Sequence, residues 1–75
     1  MFNLEIGQEL EFIEPAHAEG RLIPKGTRVR VGAITSQLME SLVTLVVLGE
    51  EPPRTSTVSR HVVTMHCQPV QGNRR

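Results

Sequence analysis

A chain of 75 residues with eight Lys plus Arg, eight acidic residues and a single cysteine leaves few classes of protein open. So short a chain makes one domain and buries only ~60–65% of the surface its unfolded state exposes, so its core must be compact or extended by a partner. The balanced charge lacks the basic excess of a nucleic-acid module, and a lone thiol excludes the disulfide framework of small secreted domains, pointing to a reducing, bacterial-type cytoplasm.

All eight acids are Glu, Trp and Tyr are absent, and the aromatics are Phe2 and Phe12. The N-terminal MFNLEIGQELEF carries neither a basic n-region nor an apolar stretch, and no run approaches the ~18–20 apolar residues of a membrane span. The sequence therefore predicts a soluble, cytoplasmic protein with no membrane partner. Residues 1–70 are expected to form the domain and residues 71–75, Gln-Gly-Asn-Arg-Arg, a disordered tail.

In chain order, QELEFI alternates Glu9 and Glu11 with Leu10 and Phe12, a period of two that predicts a half-buried first strand. The next segment, EPAHAEGRLIPKG, is long, polar and punctuated by Pro and Gly, and reads as an exposed loop. Its His17, Glu19, Arg21 and Lys25 are the candidate contacts for a protein partner. TRVRVGA then alternates again, with Arg28 and Arg30 on one face and Val29, Val31 and Ala33 on the other.

Lys25, Arg28, Arg30 and Arg60 make a possible anion patch. Glu9 and Glu11 occupy the outward face of the preceding strand, however, and antiparallel pairing would set them against the two arginines, each pair contributing roughly 0.2–1 kcal/mol. A solvated, mutually neutralised face is the expectation, and nucleic acid is not the expected partner.

Residues 37–41 read as either a turn of helix or a loop tip, and residues 42–48 as a strand, since β-branched Val43, Thr44, Val46 and Val47 favour extended backbone. This strand is apolar on both faces, which predicts cover on both. With Val46 and Leu48 assigned to the core, Val43, Leu45 and Val47 point outward and need cover from the loop at 36–41 or from a second copy; the copy is favoured, which makes them the predicted oligomer interface, in a dimer or a larger ring. Gly49 through Pro53 is a turn, RTSTVSR a further strand, and HVVTMHC a short turn leading into a last one.

KGTRVRVGAI after a long first loop, and TVSRHVVTMH as a closing turn plus strand, resemble the SH3-like barrels, including those of KOW-type translation proteins, over about residues 7–67. The resemblance implies an all-β fold: a small SH3-like antiparallel barrel of about five short strands. It implies no particular activity. Peptide-binding SH3 domains hold a polyproline helix on Tyr and Trp, which this chain lacks, and RNA-binding small barrels need aromatic platforms or a basic groove.

His61, His66 and Cys67 form H-x(4)-H-C, but adjacent strand residues His66 and Cys67 would point to opposite faces, so neither a shared metal ion nor a Cys–His nucleophile pair is expected. No cofactor motif is present. The plasmid-borne type II dihydrofolate reductases show that very short SH3-like subunits can share one central active site, but their Val-Gln-Ile-Tyr stretch is missing here. The sequence reading is a non-catalytic, homo-oligomeric adaptor or accessory protein that binds a protein partner. A nucleic-acid-binding regulator and an oligomeric enzyme with a shared central site are the alternatives.

Overall fold

Period-two alternation becomes seven strands and one short helix in a computed structural model that describes residues 3–70, the side chain of residue 37 excepted. Phe2 and the expected tail at 71–75 lie outside the described residues. The elements are β1 (Glu9–Phe12), β2 (Ala16–Ala18), β3 (Arg21–Ile23), β4 (Arg28–Gln37), β5 (Glu40–Val47), β6 (Arg54–Ser59), α1 (Arg60–His66) and β7 (Cys67–Pro69). The fold is all-β.

Five strands form one antiparallel sheet in the order β6-β5-β4-β1-β7, and β2 and β3 pair separately. The sheet is open, and the expected closure into a barrel is corrected: β6 and β7 are its two ends and do not pair with each other. The three-residue β7 ends at Pro69, which has no N–H to extend a ladder, and α1 leads from β6 to β7 across the gap between the sheet's ends.

One face of this sheet makes the core. Leu10, Phe12, Val29, Val31, Val43, Leu45 and Val63 are all but fully buried. Across the ladders Leu10 sits opposite Val29, Val31 opposite Leu45, and Val29 opposite Val47. Directly opposed residues of an antiparallel pair share a face, so once Val29 and Val31 are inside, Val47 and Leu45 must be inside too.

This register corrects the assignment of Val43, Leu45 and Val47 to an oligomer interface. They are 0%, 0% and 6% exposed and belong to the core of the single chain. Leu42, Thr44, Val46 and Leu48 instead take the outer face, each half-buried.

Ala33 is corrected as well. The ladder slips between Val31 and Ala33, a bulge that spends Gly32 as an extra residue, so Ala33 lies opposite outer-face Thr44 and Ile34 opposite inner-face Val43. Glycine suits the bulge because a Cβ there would come 3.3 Å from Val46 Cγ2 and 3.5 Å from the Thr44 carbonyl oxygen.

The segment expected as an open loop is a hairpin. β2 and β3 pair Ala16 with Ile23 and Ala18 with Arg21, and Ala16, Ala18 and Ile23 join the core while His17, Glu19, Arg21, Leu22 and Lys25 face out. Its two turn residues, Glu19 and Gly20, have φ of 55° and 75°, the primed geometry that matches strand twist and favours Asn-Gly. Glu19→Asn should therefore raise stability by about 0.5 kcal/mol, or ~2–4 °C in Tm for a domain of this size. A lower Tm would show that the Glu19 side chain contributes more than its backbone costs.

HVVTMH, expected as a turn, is helical. Ser59 caps it by accepting from the Val62 N–H at 3.2 Å, and the helix ends where Cys67 turns extended, its N–H donating to the Val63 carbonyl. A β-branched run such as Val62-Val63-Thr64 disfavours helix by a few tenths of a kcal/mol per residue. The cap and the full burial of Val63 outweigh that.

Candidate functional site

The long β4–β5 hairpin ends in a two-residue turn, since Gln37 pairs with Glu40 and leaves Leu38 and Met39 between them. This settles residues 37–41 as a hairpin tip. Leu38 and Met39 are 103% and 101% exposed, more open than any other large apolar residue described. Leu38 also has φ 55°, a region that costs a branched L-residue roughly 1–2 kcal/mol and that Gly, Asn or Asp fills at less cost. A two-residue hairpin turn itself calls for positive φ at its first position, but folding alone does not explain why two large apolar residues fill this turn.

Beside the tip lies a shallow, open cleft of about 450 Å³, lined by Met39, Glu40 and Ser41 from the hairpin and by Ser59, Arg60, His61 and Thr64 from the end of β6 and the start of α1. Two of its hydroxyls are engaged: Ser59 Oγ in the helix cap, and Thr64 Oγ1 donating to the Arg60 and His61 carbonyls at 3.2 and 3.1 Å. The cleft carries a mixed-charge polar rim around one apolar side chain, the composition of an interface margin rather than of an enclosed small-molecule pocket.

The arginine face stands as the alternation implies. Glu9 lies opposite Arg30 and Glu11 opposite Arg28 on the outer face of β1 and β4. Lys25, in the turn before β4, is exposed and close in sequence to Arg28. Arg60 is elsewhere: β6 meets β5 at Ser59–Leu42, and Leu42 pairs with Thr35, which puts Arg60 on the order of 20 Å along the ladder from Arg28. The four cations do not form one patch. Among the described residues Arg54 and Glu50 close an ion pair at 3.0 Å, and His66 Nδ1 lies 3.9 Å from Glu14 Oε1.

The three residues of H-x(4)-H-C diverge. His61 is exposed on the first turn of α1. His66, the last helical residue, has Nδ1 3.1 Å from the Pro15 carbonyl oxygen, a contact in which the imidazole donates. Cys67 is 4% exposed, and burial pushes its thiol from the ordinary 9.0 up to about 12. A thiol held neutral in an apolar core is neither a nucleophile nor a ready metal ligand. Among the described residues, no three His, Cys, Asp or Glu side chains converge as a metal site would require.

His17, Glu19, Arg21 and Lys25 are all exposed on or beside the β2–β3 hairpin, at positions set by its pairing rather than by a mobile loop. Sequence reasoning passed over Leu38 and Met39, although a signal was present. SQLMES places two large apolar residues where the strands must reverse, with no Gly, Asn, Asp or Pro to make the turn. No helix among the described residues is long and apolar enough to cross a membrane. Comparison with protein-family models, with curated proteins and with solved structures finds no match to this chain.

Proposed function

We propose that this chain is a small, non-catalytic all-β module that self-associates and serves as an adaptor or accessory protein, gripping a protein partner through the tip of its β4–β5 hairpin. The observation that carries the reading is the fully exposed Leu38–Met39 pair, with Leu38 held at positive φ. Two apolar anchors at the end of a two-stranded arm suit insertion into a partner's pocket, with the polar cleft beside Met39 forming the rim. The β2–β3 hairpin, with His17, Glu19, Arg21 and Lys25, offers a second exposed surface to the same or another partner.

A long excursion between the first two sheet strands and a helical turn before the last one support the SH3-like resemblance in chain layout, though not in barrel closure. The non-catalytic reading draws on the buried Cys67 thiol and on the divergence of His61, His66 and Cys67. A single free thiol suits a reducing cytoplasm.

A photo-crosslinking residue at position 39 in cells, followed by purification and titration of the captured protein, tests the tip. The double variant Leu38→Asp/Met39→Asp should weaken that complex at least 100-fold, about 2.7 kcal/mol, while the isolated chain melts no lower than the wild type. An unchanged Kd would remove the tip from the interface.

A further inference from the structure

We infer that the free edge of β6 is the surface through which two copies pair, antiparallel about a two-fold axis at Ser56, joining their sheets into one of ten strands; the inference rests on the self-association proposed above and names its surface. Leu48 N–H donates to the Arg28 carbonyl at 3.0 Å, so even-numbered residues of β5 direct their backbone groups toward β4 and odd-numbered ones toward β6. Val43, Leu45 and Val47 then bond Val58, Ser56 and Arg54, with which they are paired. The backbone N–H and C=O groups of Thr55 and Thr57, and the N–H of Ser59, are left pointing away from the sheet.

Arg54 puts one charge at the start of β6, and β2 and α1 lie near the strand, but past Arg54 the edge itself is unguarded. Between Thr55 and Ser59 there is no charge, no Pro and no bulge, and Thr55 and Thr57 are exposed. The opposite edge, β7, is only three residues long and ends at Pro69.

The ends of β6 choose the register. Ser59, as the helix cap, commits its carbonyl to the first turn of α1, and Pro53 has no N–H. Setting Thr55 opposite Thr57 of the second copy brings Ser59 opposite Pro53, so the missing acceptor meets the missing donor. The same register carries the turn of each copy that holds Glu51, beside the Glu50–Arg54 pair, toward Arg60 of the other, an opposite-charge contact at both ends of the seam.

The test is light scattering at ~100 μM, where even a micromolar dimer is populated, beside hydrogen exchange of individual amides. The wild type should be dimeric, and the Thr55, Thr57 and Ser59 amides should exchange at least tenfold more slowly at 100 μM than at 1 μM. Thr57→Pro removes an N–H that the single chain does not use, and should give a folded monomer. Ser56→Pro removes one bonded to Leu45, and should unfold the chain. A wild type monomeric at ~100 μM overturns self-association itself. A dimer that survives Thr57→Pro, or whose three edge amides exchange independently of concentration, leaves self-association standing and overturns the β6 edge.

Discussion

Leu45→Glu is expected to unfold the isolated chain, while Val46→Glu, one residue on, leaves it folded. Leu45 is 0% exposed, opposite Val31 on one side and Ser56 on the other. Truncating such a leucine to alanine costs about 2–5 kcal/mol, and a carboxylate in its place adds a desolvation cost of several kcal/mol more. A domain of this size has roughly 3–10 kcal/mol to lose. Val46 is half-buried on the outer face, directly opposite Arg30, so a glutamate there loses some aliphatic burial but gains an opposite-charge cross-strand neighbour. The net change should stay within about 1 kcal/mol. Circular dichroism and thermal melting of the two variants decide the matter. A folded Leu45→Glu beside an unfolded Val46→Glu would reverse the register of the entire β5 strand.

That register was legible in one residue. Period two puts Thr44 in phase with Leu42, Val46 and Leu48, so the single hydroxyl in an otherwise apolar strand marks the outer face. Counting aliphatic side chains instead sends Val43, Leu45 and Val47 outward, because a strand apolar on both faces weighs nearly the same either way up. β1 and the first half of β4 carry charges on one face only, and for that reason Glu9, Glu11, Arg28 and Arg30 fall where alternation puts them. Past Gly32 the alternation fails, since a bulge moves every later residue of β4 by one phase, and a lone glycine in a strand signals that slip only weakly.

The hairpin and the helix were hidden for a different reason. Glu-Gly at residues 19–20 is a poor relative of the Asn-Gly that announces a two-residue turn, so AHAEGRLI reads as loop until Ala16, Ala18 and Ile23 are seen packing under the sheet. Val62-Val63-Thr64 has strand propensity, and only tertiary burial of Val63 beside the Ser59 cap makes it helical. The tip at Leu38–Met39 is the converse case. Its local sequence says nothing helpful about how the chain turns, and that mismatch between residue and backbone is the argument for an outside contact.

Raising the pH above about 9 should destabilise the protein through Cys67, and by pH 11 the loss should approach 3 kcal/mol. The unfolded thiol ionises near its ordinary 9.0, whereas burial holds the folded one neutral until about 12. Between those values the folded state binds the proton that the unfolded state releases. The stabilisation is complete below pH 9 and falls by up to about 1.36 kcal/mol per unit as the pH climbs through this window. The composition makes the effect readable. Tyrosine is absent and Lys25 is the sole lysine, so few other side chains titrate in this range, and arginines stay charged. Urea melts between pH 8 and 11 should show a descending curve for the wild type and a nearly flat one for Cys67→Ala. The alanine variant starts about 1 kcal/mol lower at pH 8, the cost of the sulfur's lost packing, so the two curves should cross near pH 10. Parallel curves would mean that the thiolate finds water without unfolding the chain, and that Cys67 sits at a yielding seam between α1 and β7 rather than in a closed core.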